Sequence, residues 1–116
     1  MDDKIKENKQ NFLLYEDGNG NINVEVLLHE ENVWLNTRTI AELYNVDRTV
    51  ITKHINNIYK EEELNKSTTS ANFAHIGNDG LQGYSTKYYN LDMIISIGFR
   101  VNSKKAIIFR LWANKT

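Results

Sequence analysis

Within nine residues the chain carries Arg48, Thr49, Thr52, Lys53 and Asn56. A helix through this stretch brings them to one face, because residues three and four apart are neighbours, and turns Val50, Ile51, Ile55 and Ile58 away from it. The face then offers a guanidinium, an ammonium, two hydroxyls and an amide, groups that hydrogen-bond base edges and phosphates. Arg48, near the start of the helix, suits bidentate reading of a guanine, whereas Lys53 suits a phosphate.

Other candidates carry less chemistry. His29, His54 and His75 fall on three different predicted elements with no carboxylate at ligand-like spacing, so they read as structural or surface histidines. The chain has no cysteine, which excludes disulfides, thiolate zinc sites and thiol nucleophiles. Convergent carboxylates, a phosphate-cradling glycine loop and a nucleophile paired with its base are all missing from the pattern. The expectation is a non-enzyme with no cofactor and no metal. Tyr84, Tyr88, Tyr89 and Trp112 are able to stack on bases, but their strand and helix spacing assigns most of them to the core.

The elements that must hold the polar face can be read outward from it. Asn36 or Thr37 can cap a first helix bearing Ile40, Leu43 and Tyr44, with Ala41 as the small residue at a helix crossing. Asn45 tolerates the left-handed turn, Val46 and Ile51 point inward, and Asp47 can cap the second helix, so 36–60 reads as two helices and a tight turn. Upstream, Phe12 to Tyr15, the Asp17-Gly18-Asn19-Gly20 turn and the alternation of Ile22, Val24, Val26 and Leu28 predict a hairpin. Val33-Trp34-Leu35 adds a short third strand. Downstream, Glu61-Glu62-Glu63 closes the helix or follows it, and 65–72 reads as a polar loop. Phe73 to Ile76 and Tyr84 to Tyr89 then form a second hairpin with a glycine-rich mobile tip, from which Lys87 can contact phosphate. Asn90 can cap a helix to Phe99, and Asn102 or Ser103 a last one from Lys104 to Ala113. Ile107, Ile108, Leu111 and Trp112 make that helix apolar enough to be core. The expected fold is α+β, a winged helix-turn-helix-like domain with an N-terminal β-hairpin and a C-terminal helix pair.

Charge and length bound the rest. The 116 residues sum to −1, unlike a generic nucleic-acid-coating protein. Residues 1–34 carry three basic against eight acidic side chains, −5, and leave the remainder at +4. An anion-facing surface must therefore be built from the bases after residue 34, which include Arg38, Arg48, Lys53, Lys60, Lys87, Arg100, Lys104, Lys105 and Arg110. No apolar run approaches the length of a membrane span and no secretion signal precedes the domain, so a cytoplasmic location and no membrane contact are expected. Residues 1–11 read as a flexible tail and 12–116 as one domain, expected to be the N-terminal fragment of a longer protein.

The quoted stretches resemble the N-terminal domain of the RhuM family, virulence-island-associated bacterial proteins. The resemblance rests on Val33-Trp34-Leu35, the run from Ile40 to Ile55, Phe73-Ala74-His75, and Lys87-Tyr88-Tyr89-Asn90-Leu91-Asp92 through Arg100-Val101-Asn102-Ser103. It spans roughly 12–113. More distantly, the layout of helix pair, hairpin and Phe109-Arg110-Leu111-Trp112 is similar to the Bro-N and KilA-N DNA-binding domains of phage antirepressors. The resemblance implies a DNA-binding or transcription-regulating protein carried on mobile elements. The sequence expectation is a binder of double-stranded DNA through Arg48, Thr49, Thr52, Lys53, Asn56 and Lys87, acting as a homodimer because one short helix contacts too few bases. The alternative is an antirepressor-like module whose acidic N-terminal hairpin docks a protein partner.

Overall fold

A computed structural model of the chain describes residues 11–17, 23–76 and 82–116. Residues 1–10 of the tail expected over 1–11, residues 18–20 of the glycine turn and residues 77–81 of the hairpin tip lie outside the described residues. The elements run β1 (Asn11–Glu16), β2 (Asn23–His29), β3 (Asn32–Asn36), α1 (Thr37–Tyr44), α2 (Arg48–Lys60), α3 (Lys66–Thr69), β4 (Ser70–Ile76), β5 (Gln82–Asn90), α4 (Leu91–Arg100) and α5 (Lys105–Lys115). The fold is α+β, as the patterning predicts.

The strands form one antiparallel sheet in the order β1-β2-β3-β5-β4. Alternation sends Tyr15, Val24, Val26, Val33, Leu35 and Tyr89 to the face covered by helices, where they join Ile40, Leu43, Ile51, Ile58, Met93, Ile97 and Phe109 in the main core. The opposite face holds a smaller cluster of Leu27, Trp34 and Tyr88, with Phe73 packed on it.

Asparagines start three of the helices. The Asn36 side chain accepts the Thr39 N–H at 2.9 Å, Asn65 accepts Ser67 N–H at 2.8 Å, and the buried Asn90 accepts Met93 N–H at 3.3 Å. Three helices also end alike. Asn45, Glu62 and Asn102 adopt left-handed φ of 58°, 60° and 56°. The residue after each donates its N–H five positions back, Val46 to Ala41, Glu63 to Ile58 and Ser103 to Gly98, at 3.1, 3.0 and 2.9 Å.

Several sequence expectations need correction. The polar loop at 65–72 is instead α3 followed by the start of β4 at Ser70, because the Asn65 cap and the Thr69 hydroxyl bonded back to the Asn65 carbonyl at 2.7 Å close a helical turn. Asp47 stands at the head of α2 without a side-chain cap; its backbone carbonyl receives Val50 and Ile51 N–H instead. The last helix starts at Lys105, with Ser103 Oγ accepting the Lys105 N–H at 3.1 Å. It is not core throughout: Ala106 and Phe109 are buried, but Ile107, Ile108 and Leu111 stay exposed because only one side of the helix meets the domain. Val50, read as part of the apolar stripe of α2, is also exposed.

α1, α4 and α5 converge at Gly98. A Cβ there would overlap the Ala106 Cβ and sit 2.8 Å from the Tyr44 hydroxyl. The Tyr44 hydroxyl donates to the Ile94 carbonyl at 2.6 Å in the same spot. Gly98→Ala should therefore lower unfolding free energy by about 1–3 kcal/mol through overpacking, measured as a shift in urea midpoint. A variant as stable as the parent would show that the three helices can part without cost.

Candidate nucleic-acid interface

α2 begins after the Asn45 turn, and burial of Ile51, Ile55 and Ile58 fixes its rotation. Its other side is left to solvent. Arg48, Thr49, Thr52, Lys53 and Asn56 are all exposed, and together with the half-buried Asn57 they line one shallow depression. The five side chains expected to act together are thus brought together. Asn57 escaped the sequence reading although it lies one turn beyond Lys53, a spacing that would have found it. Lys87 is exposed on β5 opposite Asn72, on the sheet face that also carries Tyr89, and does not line the depression.

Val46 packs against the core just after the turn, and Ala41 is buried on α1, its carbonyl receiving the Val46 N–H. These contacts set the angle between α1 and α2. Further along, the Tyr59 hydroxyl hydrogen-bonds Thr69 Oγ1 at 2.8 Å, tying α2 to α3, and the Lys66 ammonium lies 5.5 Å from the Tyr59 ring centre.

Charge near the C-terminus of α2 is organised internally. One Arg100 nitrogen, Nη2, donates to Glu61 at 2.8 Å and Glu63 at 2.9 Å. The hydrogen bond from Arg100 holds the Glu63 carboxyl below its ordinary range despite some desolvation, with Ser96 helping. Arg100, counted in the sequence among the cations available for an anion, is therefore committed to these two carboxylates. Arg100 thereby offsets one of the three negative charges in the acidic run beside the polar face.

His54 sits on α2 with its Nδ1 buried and without a hydrogen-bond partner among the described residues. Desolvation lowers its pKa below the usual histidine value, and the nearby Arg100 and Lys53 cations push in the same direction. His29 is exposed, stacked edge-on against Phe73 at 5.0 Å, with Glu30 at 3.8 Å; the side chain of His75 lies outside the described residues. Tyr88 and Tyr89 are buried, and Trp112 packs against Tyr15 and Phe109 with ring centres 5.1 and 5.6 Å away, so these rings serve packing.

Residues 68–116 match the family model of the virulence protein RhuM family. The matched stretch is 49 of the 116 residues, so the similarity to that family lies in the C-terminal part of the chain. The RhuM segment covers the end of α3, the β4–β5 hairpin and both C-terminal helices; the α1–α2 pair precedes it. Neither the curated proteins nor the solved structures yield a match. No helix among the described residues is long and apolar enough to cross a membrane.

The environment of His54 makes stability depend on pH. Its unfolded-state value is near 6.5 and its folded-state value is lower, so the unfolded chain takes up the proton first. Stability is full above about pH 6.5 and falls as pH drops through the folded value. The urea midpoint should decrease between pH 7.5 and 5.5, above the range in which carboxylates titrate, and His54→Gln should flatten that change. An unaltered pH dependence in the variant would remove His54 as its source.

Proposed function

We propose that this chain is a sequence-preferring binder of double-stranded DNA, of winged helix-turn-helix type, acting in the manner of a transcription regulator, with α2 as the reading helix. The observation that carries this reading is the outer face of α2. There Arg48, Thr49, Thr52, Lys53 and Asn56 stand exposed around one depression on a helix that contains no acidic residue, within a chain of net charge −1. A rigid helix with its apolar side locked into the core and donors on the other side is what insertion into a major groove requires.

The order of elements supports the same reading. β3 leads into the helix pair, the β4–β5 hairpin follows, and the three strands lie in the order β3-β5-β4. A hairpin thus follows the helix proposed to read DNA, and in this reading its Lys87 would neutralise a backbone phosphate. The proposed role for Arg48 is bidentate contact with a guanine, and for Lys53 a phosphate contact. Two copies would read two half-sites, since one helix of 13 residues reaches few bases. No catalytic step and no cofactor form part of the proposal.

A second reading has one observation of its own. β1 is an edge strand, and Phe12, Leu13 and Leu14 are exposed on it. Such an edge can pair with a partner strand, as an antirepressor-like docking module would need.

Selection from random duplex DNA followed by salt titration separates the two. Arg48→Ala should weaken binding to the selected site by about 1–3 kcal/mol and relax preference at one base position, whereas Lys53→Ala should weaken all duplexes alike and reduce the salt slope by about one. If no sequence is enriched, and if replacing both residues leaves residual duplex binding unchanged, the docking reading replaces the DNA reading.

A further inference from the structure

Exposed large apolar side chains concentrate where α4 ends and α5 runs. Phe99 is 67% exposed, Ile107 59%, Ile108 50% and Leu111 58%. Ile95 and Phe99 from α4 and Ile107 and Leu111 from α5 line a groove of about 370 Å³, with Arg110 and Asn114 also at its wall. Clustered exposure of this kind marks an interaction surface, because apolar area left in water costs about 25 cal/mol per Å². A concave strip between two packed helices takes the ridge of a third helix.

Charge identifies the occupant. From Val101 to Thr116 there are four cations, Lys104, Lys105, Arg110 and Lys115, and no acidic residue. Among the described residues none of the four is in an ion pair. Lys104, Ile108, Leu111 and Lys115 follow each other at spacings of four, three and four, so the exposed apolar strip of α5 has a cation at each end. We propose that this groove receives an acidic amphipathic helix of a partner protein, with apolar residues at helical spacing seated between α4 and α5 and carboxylates meeting Arg110 at the groove wall and reaching Lys104 and Lys115 at the two ends of α5.

The same charges count against a second copy of the chain. A two-fold contact presents one patch to itself, so four cations would face four cations across a small interface. An anionic bilayer would satisfy the charge, but it presents a broad, flat surface, and the groove is concave.

The inference is independent of the DNA reading and needs no residue of α2. A fluorescent, helix-forming peptide of about 18 residues, with leucines at positions i, i+4, i+7 and i+11 and glutamates on both flanks, serves as the probe. A version with lysine in place of every glutamate is its control. Fluorescence anisotropy should show saturable binding of the glutamate peptide that weakens as salt rises, at least tenfold weaker binding of the lysine peptide, and at least a tenfold loss in Leu111→Ser and in Phe99→Ser. Both substitutions lie on the surface, circular dichroism checks that they fold, and their duplex binding should equal that of the parent. The proposal is overturned if the glutamate peptide fails to bind, if the lysine peptide binds equally well, or if Leu111→Ser and Phe99→Ser bind like the parent. It is also overturned if sedimentation shows a dimer of the chain that Leu111→Ser dissociates, or if only anionic phosphatidylserine vesicles compete for the groove.

Discussion

Tyr44, Gly98 and Ala106 meet where α1, α4 and α5 approach to backbone distance, and the placement of the other elements follows from that junction. The missing side chain at Gly98 lets Ala106 and the Tyr44 hydroxyl occupy space that any Cβ would claim. The Tyr44 hydroxyl then reaches the Ile94 carbonyl, a buried hydrogen bond of about 1 kcal/mol net whose loss would leave polar groups unpaired. Burial drives the Tyr44 pKa upward, so the phenol remains a donor at any physiological pH. Because α1 is held this way at its C-terminal end, the Asn45 turn and the direction of α2 are held as well.

α2 is clamped a second time, from its far end. Arg100, the last residue of α4, grips Glu61 and Glu63 on either side of Glu62. A glutamate in the left-handed region is disfavoured by roughly 1–2 kcal/mol, and here the turn it makes sets both neighbouring carboxylates against one guanidinium. The ion pairs are partly solvated and individually worth little. Their consequence is electrostatic: Arg100 offsets one of the three negative charges that follow α2, which reduces the acidic field beside Arg48, Lys53 and Lys60.

Two exposed surfaces result from this packing, and they differ in chemistry. The outer face of α2 is polar and cationic, suited to a hydrated, anionic partner whose edges are read by hydrogen bonds. The groove between α4 and α5 is apolar with cations at its margins, suited to a partner that buries side chains. The first belongs to elements preceding the segment that matches the RhuM family, and the second lies within it. Specific recognition and partner docking can therefore be borne by separate parts of a small domain.

The amino-acid pattern by itself determined the local features. Alternation in Val24, Val26 and Leu28 marked β2, the asparagines at 36 and 90 marked helix starts, and Asn45 marked the turn between α1 and α2, because each depends on interactions within a few residues. The five polar residues of α2 were likewise readable, since helical spacing alone separates them from Ile51, Ile55 and Ile58. What the pattern left open depended on contacts distant in sequence. From sequence the Asn65 turn reads as loop because hydroxyl-rich segments bond their own backbone in several conformations, and the Tyr59–Thr69 hydrogen bond selects one. The apolar side of α5 reads as core from sequence because hydrophobicity reports a tendency to be buried and not by what; the packing of α5 on the domain decides that Phe109 faces inward while Ile107 and Leu111 face out. Arg100 was one basic residue among many until the fold carried it to Glu61, 39 positions away, since charge pairing across such a separation is decided by the chain's path in space.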